Sequence, residues 1–278
     1  MTSAVWSEFE DIDAAADADG YVDYLDQLRS LGDTAEYKAL SYQRLGLGPG
    51  GTASGARILD VGSGAGHDCI EMARLGGTGV SVTGVDPSAQ LLEVSRRRAA
   101  EARVDVRFEQ GSAYQLPFDD DAFSACRSDR VFLYLDRPGD ALTEMHRVAE
   151  PGGLLWVRDP DMTTLLLDAD GLDPATTRTI SDFFSDGFPN GWSGRRLDRL
   201  LRQQGIGDAT VVPRTLISRS LKEADTLFAI RRNAVASAAA GAVDRSDVDR
   251  WLAALAAADA EGLFSFSLTF FEAFGHIP

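Results

Sequence analysis

The sequence predicts an α/β fold: a doubly wound, Rossmann-like sheet of seven mostly parallel strands, with a helical cap inserted between the last two strands and an N-terminal helical lid. Three observations predict it. Between residues 57 and 158 short apolar runs alternate with amphipathic stretches, the pattern of right-handed strand–helix–strand crossovers that cover both faces of a parallel sheet. The first apolar run ends in Gly62-Ser63-Gly64-Ala65-Gly66, a turn of small residues before a helical pattern. Late in the chain, the Ala-rich stretch 221–260 reads as helix and separates two strand-like segments.

The elements come in order along the chain. Residues 1–19 read as an acidic, mobile lead. Tyr21, Tyr24, Leu25 and Leu28 fall at helical spacing, as do Tyr37, Leu40 and Leu45, so 21–45 is expected to be helical. Residues 46–55 hold five glycines and a proline and form a linker. Strands are expected at 57–61, 80–85, 104–109, 125–128 and 154–158, with helices at 67–75, 89–102 and 140–149, the last stopped by Pro151-Gly152-Gly153. Further on, 195–204 reads as helix and 209–217 as strand. Val248, Leu252 and Leu255 share a helical face, and Ser246 with Asp249 resembles a capping pair. Phe264, Phe266, Leu268 and Phe270 alternate with Ser265, Ser267 and Thr269, a period-two strand. The expected division is a lid and linker (1–55), a cofactor-binding core (56–220), a cap (221–260) and a final core strand (261–278).

The composition narrows the function. With 278 residues and 44% hydrophobic content the chain can bury a sizeable core. A formal net charge of −16 repels phosphate backbones and anionic headgroups, so neither nucleic acid nor membrane is an expected partner. Cys69 and Cys126 form no C-x-x-C pair, and His67, His146 and His276 are scattered, so no metal site is expected. No apolar run reaches 18 residues and the first residues have no signal-peptide pattern; a cytoplasmic protein, monomeric or homodimeric, with reduced thiols is the expectation.

The chemistry begins at the glycine turn. Dinucleotide enzymes use G-x-G-x-x-G to cradle a pyrophosphate. Here the third glycine comes one residue early and His67 takes its place. Asp60, two residues before the first glycine, disfavours a pyrophosphate and suits a cationic amine and sulfonium. The loop is also expected to aim helix N-terminal amides at a ligand. Asp86, at the end of the second strand, is placed to accept hydrogen bonds from both hydroxyls of a ribose; capping the next helix is the plainer reading of Asp86-Pro87.

Taken with Gly111-Ser112-Ala113, Leu116-Pro117-Phe118 and Glu150-Pro151-Gly152-Gly153, these residues resemble the class I S-adenosylmethionine-dependent methyltransferases, and most of all their small-molecule branch, which includes natural-product and quinone methyltransferases. The resemblance covers roughly 55–159. It implies S-adenosyl-L-methionine as cofactor, a carboxylate at Asp60 near the methionine ammonium, Gly62, Ser63, Gly64 and Gly66 along the methionine and ribose, and Asp86 with Pro87 at the ribose. It also implies Gly111, Ser112 and Ala113 at the adenine, and the backbone of Arg127 and Ser128 beside the methionine. Ser112 stands where the family often has aspartate, and Tyr134 where histidine is frequent.

Catalytic candidates are Tyr134, Asp159 and Arg130, with plain packing and a structural ion pair as the competing readings of Tyr134 and Arg130. Candidates for contact with the small-molecule acceptor are Tyr21, Tyr24, Arg130, Tyr134, Asp161 and Trp192; aromatics such as Trp192 serve equally well as core. His67 is a candidate donor to the cofactor carboxylate. The expected function is methyl transfer to a small molecule, by O- or N-methylation in secondary metabolism. The alternative is a methyltransferase-like protein that keeps the cofactor structurally and catalyses another reaction, such as a cyclisation. An NAD-dependent protein is disfavoured by the early third glycine and Asp60.

Overall fold

A computed structural model describes residues 18–29, 34–51 and 54–278; the expected acidic lead lies almost wholly outside the described residues. The strands are β1 (Arg57–Val61), β2 (Ser81–Asp86), β3 (Arg107–Gln110), β4 (Phe123–Asp129), β5 (Ala149–Pro160), β6 (Leu166–Asp168), β7 (Thr210–Ser218) and β8 (Ser265–His276). The helices are α1 (Ala18–Arg29), α2 (Thr34–Arg44), α3 (His67–Gly76), α4 (Ala89–Ala102), α5 (Pro138–Val148), α6 (Pro174–Asp186), α7 (Ser193–Gln203), α8 (Leu221–Phe228), α9 (Ile230–Ala239) and α10 (Arg245–Ala260).

The sheet runs β3-β2-β1-β4-β5-β8, parallel from β3 to β5, with β8 antiparallel to β5. β7 lies along the other edge of β8. The doubly wound sheet is therefore as expected, with one addition: the short β6 pairs with Ser265–Ser267 of β8, beyond the end of β5, and makes an eighth strand.

Alternation along the strands sends successive side chains to opposite faces. Leu59, Val61, Cys126, Leu155 and Val157 pack against α5 and α7 through Leu142, Met145, Leu197 and Leu201. Ile58, Val82 and Ala125 pack on the other face against α3, α4 and the end of α2 through Cys69, Met72, Leu92 and Tyr42. A third apolar cluster joins α6, α8, α9 and α10 to Phe264 and to Phe266, Leu268 and Phe270 of β8.

The expected lid helices are α1 and α2. The helices further on differ from expectation. The Ala-rich stretch is three: Ala229 adopts a left-handed conformation (φ 45°) between α8 and α9, and Gly241 (φ 75°) follows α9. Helix α6 was not expected, although Asp173 accepts from the Thr176 N–H as its cap and Pro174 occupies its first turn.

Candidate functional site

The site lies at the C-terminal ends of β1, β2 and β4. Strand order reverses between β1 and β4, and ligands of open α/β sheets bind in the crevice there. From Val61 the chain turns through Gly62 (φ 76°), Gly64 (φ 53°) and Gly66 (φ 80°), all left-handed. A Cβ on Gly62 would lie 2.3 Å from Val131 Cγ2, and one on Gly66 2.8 Å from the Ser95 side chain, so backbone strain and crowding both hold these positions to glycine.

The loop amides are largely consumed. Gly62 and Ser63 donate to the Val85 carbonyl at 2.8 and 3.0 Å, Gly66 donates to Ser63 at 3.0 Å, and Gly64 donates to Asp86 Oδ2 at 2.8 Å. Three of these bonds fasten the loop to the end of β2 and the Gly66 bond closes the turn on itself; none of the four is an amide of α3, which begins at His67. A pyrophosphate would find them taken. Asp86 Oδ1 accepts from the Ser88 N–H at 3.0 Å, but the cap of α4 is Ser88, whose hydroxyl accepts from the Leu91 N–H at 3.1 Å; the reading of Asp86-Pro87 as the cap is corrected by one residue. Asp86 lines the cavity above.

That cavity measures about 460 Å³. Gly62, Gly64, Asp86, Pro87, Gly111, Ser112 and Ala113 line it from the sheet, Tyr24 and Leu25 from α1, and Arg130, Val131, Tyr134 and Leu135 from the segment after β4. The Ser112 hydroxyl accepts from the Tyr114 N–H at 3.2 Å. Tyr24 closes the roof by donating to the Leu227 carbonyl of α8 at 3.3 Å. Tyr21 belongs to α1, but its side chain lies outside the described residues.

A cleft of about 80 Å³ on the other side of the glycine turn is lined by charge. Arg127, 1% exposed, donates from Nη1 to Asp60 Oδ1 at 2.7 Å and from Nη2 to Asp68 and Asp129 at 2.7 and 3.0 Å. Lys38 of α2 bridges Asp68 and Asp129, and the Tyr42 hydroxyl donates to Asp68 at 2.7 Å. Burial alone would raise these acids. At Asp68 the Arg127 and Lys38 charges overcome it and hold the carboxyl well below its usual range. At Asp129 Lys38, Arg158, Arg127 and Arg130 do the same. Among the described residues, the buried Ser63 Oγ and Arg127 Nε have no hydrogen-bond partner, and both residues line this cleft.

A narrow apolar cleft opens where Tyr24, Arg130 and Tyr134 meet Leu133, Met162, Phe188, Phe228 and Phe270. Arg130 lines the large cavity and both clefts around the junction. Its backbone is left-handed (φ 62°), and its N–H donates to the Arg158 carbonyl at 2.8 Å. Strained conformations of this kind persist where surrounding contacts enforce them, often at functional sites.

Several candidates lie elsewhere. Asp159 is fully buried; its Oδ2 accepts from Ser193 Oγ at 2.5 Å, and the residue lines none of these cavities. Asp161 caps a short turn by accepting from Thr163 and ion-pairs with Arg195, so its carboxylate is used structurally. Trp192 is 45% exposed and stacks with Arg196. Ser128 is buried and donates to the Val61 carbonyl at 3.0 Å, and Gly66 packs on Ser95 and Phe108. His67 ties α3 to α1 and α4, with Nε2 2.8 Å from both Asp26 and Arg98. Lys38, Asp68, Asp129, Tyr37 and Arg214 were not expected from the sequence. Asp68 carried a local signal, an acidic residue in the first turn after the glycines; the others are joined only by the tertiary fold.

Asp159 gives a pH prediction. Burial pushes its carboxyl up to about 8, against the Ser193 hydrogen bond that lowers it. A folded pKa above the unfolded value of about 4 means that the folded state keeps a proton the unfolded state releases. The associated stability is complete below about pH 4 and is lost as pH rises to about 8, at roughly 1.4 kcal/mol per pH unit. Asp159→Asn, which preserves the acceptor for Ser193, is expected to flatten this part of the profile. Urea unfolding at pH 5, 6, 7 and 8 measures it; an unchanged slope in the variant would assign the pH dependence to other groups.

The methyltransferase-domain family matches residues 52–193, just over half of the 278-residue chain. A 37.1 kDa protein of transposon TN4556 from Streptomyces fradiae is 35% identical over 85% of this chain and 66% of its own length. The ubiquinone/menaquinone biosynthesis C-methyltransferase UbiE of Geobacter is 32% identical over 51% of this chain and 60% of its own length. The chain thus spans less than two thirds of the curated relatives it matches. In structure it is similar to the YcgJ protein of Bacillus subtilis, with a TM-score of 0.60 and 20% identity, covering 87% of this chain and 98% of that one. The glycine turn, the strand order and the sequence match agree, and the chain belongs to the methyltransferase-domain family, with the class I fold of the S-adenosylmethionine-dependent enzymes.

Proposed function

We propose that the protein transfers a methyl group from S-adenosyl-L-methionine to a small organic acceptor. The observation that carries this reading is the 460 Å³ cavity bounded by the glycine turn and Asp86, with the charged cleft beside it. The site fits that cofactor. Asp86 supplies a carboxylate for a ribose diol, and Val131, Leu91 and Ala113 supply apolar surface for a flat base near Ser112. The cleft holds anions and cations for an amino-acid zwitterion, with the orphaned Ser63 Oγ and Arg127 Nε among its polar atoms. When bound, the cofactor supplies an electrophilic methyl on a sulfonium, which needs little activation.

The chain's own part is then to orient the acceptor and exclude water. Orientation can contribute about 7–11 kcal/mol to barrier lowering. No carboxylate or histidine lines the apolar cleft among the described residues. Tyr24 and Tyr134 supply the hydroxyls there, and burial raises the Tyr24 pKa, so it holds its proton at neutral pH. Arg130, at the junction, would position an electron-rich group; Asp159 takes no part. The reading favours O- or N-acceptors that arrive as ready nucleophiles, as in natural-product chemistry. The quinone-biosynthesis relatives make activated aromatic carbon the other class to include.

Incubation with S-adenosylmethionine and a panel of phenols, amines and hydroquinones, read by mass spectrometry, tests this. The expected result is S-adenosylhomocysteine in equal amount to a product heavier by one CH₂. A product formed from a panel compound without S-adenosylhomocysteine would favour a derived reaction such as cyclisation.

A further inference from the structure

We infer that the acceptor carries an oxyanion, a carboxylate or phosphate, held by Arg130, Arg158 and Arg214 in a separate cavity behind the apolar cleft. The inference rests on the methyl-transfer reading for the word acceptor, and on the cavity itself for the anion.

This cavity measures about 330 Å³ and shares Arg130, Leu227 and Phe270 with the apolar cleft. The cleft in turn shares Tyr24, Arg130 and Tyr134 with the large cavity. The charged cavity, the apolar cleft and the large cavity are therefore neighbours that share side-chain walls, with Arg130 common to all three. Three arginines line the charged cavity, with the exposed Glu36 at its rim. Such a concentration of cations runs against a chain of net charge −16.

The arginines are short of partners. Charge-assisted N–H···O bonds are normally about 2.7–2.9 Å. Here Arg158 Nη1 is 3.4 Å and Arg130 Nε 3.8 Å from Asp129 Oδ1, and Arg214 Nε is 3.7 Å from Glu272 Oε2. Those two carboxylates make their short bonds through their other oxygens, Asp129 Oδ2 with Lys38 and Arg127 and Glu272 Oε1 with Arg44 and the Trp156 indole N–H, so the oxygens facing these arginines stay at long range. The Nε atoms of Arg130, Arg158 and Arg214 are all buried without a hydrogen-bond partner among the described residues. A buried, unpaired donor on a charged group is costly, and with their acids at long range the three guanidiniums keep positive charge that an oxyanion in the cavity would offset.

The site is also rigid. The Arg158 side chain is 6% exposed, and its guanidinium is clamped between the Tyr37 ring at 3.6 Å and the Phe270 ring at 4.0 Å. The left-handed backbone of Arg130 and the pairing of β7 with β8 set the backbone from which the other two side chains extend. A planar fork clamped in the way of Arg158 suits bidentate capture of a carboxylate or phosphate.

Calorimetric titrations with benzoate and phenyl phosphate, with and without S-adenosylhomocysteine present, test the inference; benzamide and benzyl alcohol are the neutral isosteres. The anions are expected to bind at least about tenfold more tightly than the isosteres. Arg214→Gln should remove most of that advantage. Arg214 does not line the cofactor cavity, so S-adenosylhomocysteine affinity should change less than about twofold. If the anions show no advantage while S-adenosylhomocysteine binds, the anion site is overturned and the methyltransferase reading stands. If S-adenosylhomocysteine fails to bind while the anions bind in an Arg214-dependent way, the cofactor reading fails and the anion site stands.

Discussion

Asp86→Ala is expected to lower the affinity for S-adenosylmethionine by about 100-fold or more. Two hydrogen bonds from a diol to a carboxylate, at about 1.5–3 kcal/mol each, correspond to at least that factor. The side chain also accepts from the Gly64 and Ser88 amides, so its loss frees the glycine turn from the end of β2. Asp86→Asn separates the two effects. Its amide oxygen can keep one of the backbone bonds while the charge is gone, so folding should be nearly retained and affinity should still fall by about tenfold. Titration of S-adenosylhomocysteine into each variant, with thermal unfolding in parallel, measures both. A loss below about threefold in Asp86→Ala would remove the ribose role.

Arg127→Met is expected to cost stability before it costs anything else. The guanidinium lies among Asp60, Asp68 and Asp129 and is 1% exposed. Removing one partner of a buried ion cluster typically costs about 3–5 kcal/mol, because the remaining charges are left uncompensated. In a chain of this size that lowers the melting temperature by roughly 10 °C. Asp60→Asn in the same background should restore part of the loss, since Asp60 depends most on Arg127: Lys38 hydrogen-bonds to Asp68 and Asp129, and Asp60 has otherwise the Cys69 thiol at 3.5 Å. Thermal unfolding of the single and double variants completes the cycle. Additive losses would mean that Arg127 and Asp60 are not energetically coupled.

The sequence carried the parts of the site that are written locally. The glycine turn, Asp86 and the segment 111–113 are each a strand end followed by a turn, and strand ends show in apolar periodicity. The site beyond them depends on distant contacts. Lys38 meets Asp129 across 91 residues, and no spacing rule relates a helix before the sheet to the end of the fourth strand. Arg214 and Arg158 meet because β7 and β5 flank β8, a pairing that alternation predicts in kind but not in register.

Misplaced candidates have local explanations. Asp161 reads as a site carboxylate at a strand end, but Thr163 two residues on makes it a turn cap. Trp192 follows Phe183, Phe184 and Phe188 in the sequence; Phe184 and Phe188 pack inward while Trp192 faces solvent. The break at Ala229 has no composition signal. Alanine does not favour the left-handed region, and the conformation is imposed by the packing of α8 and α9 into the third apolar cluster.

The central claim is that the crevice between β1 and β4 is an S-adenosylmethionine site. Calorimetric titration of the unmodified protein with S-adenosylmethionine, and separately with NAD, tests it most directly. The account predicts one site per chain with a dissociation constant in roughly the micromolar range or below, and no heat with NAD. Binding of NAD in place of S-adenosylmethionine, or a folded protein that takes up neither, would contradict it.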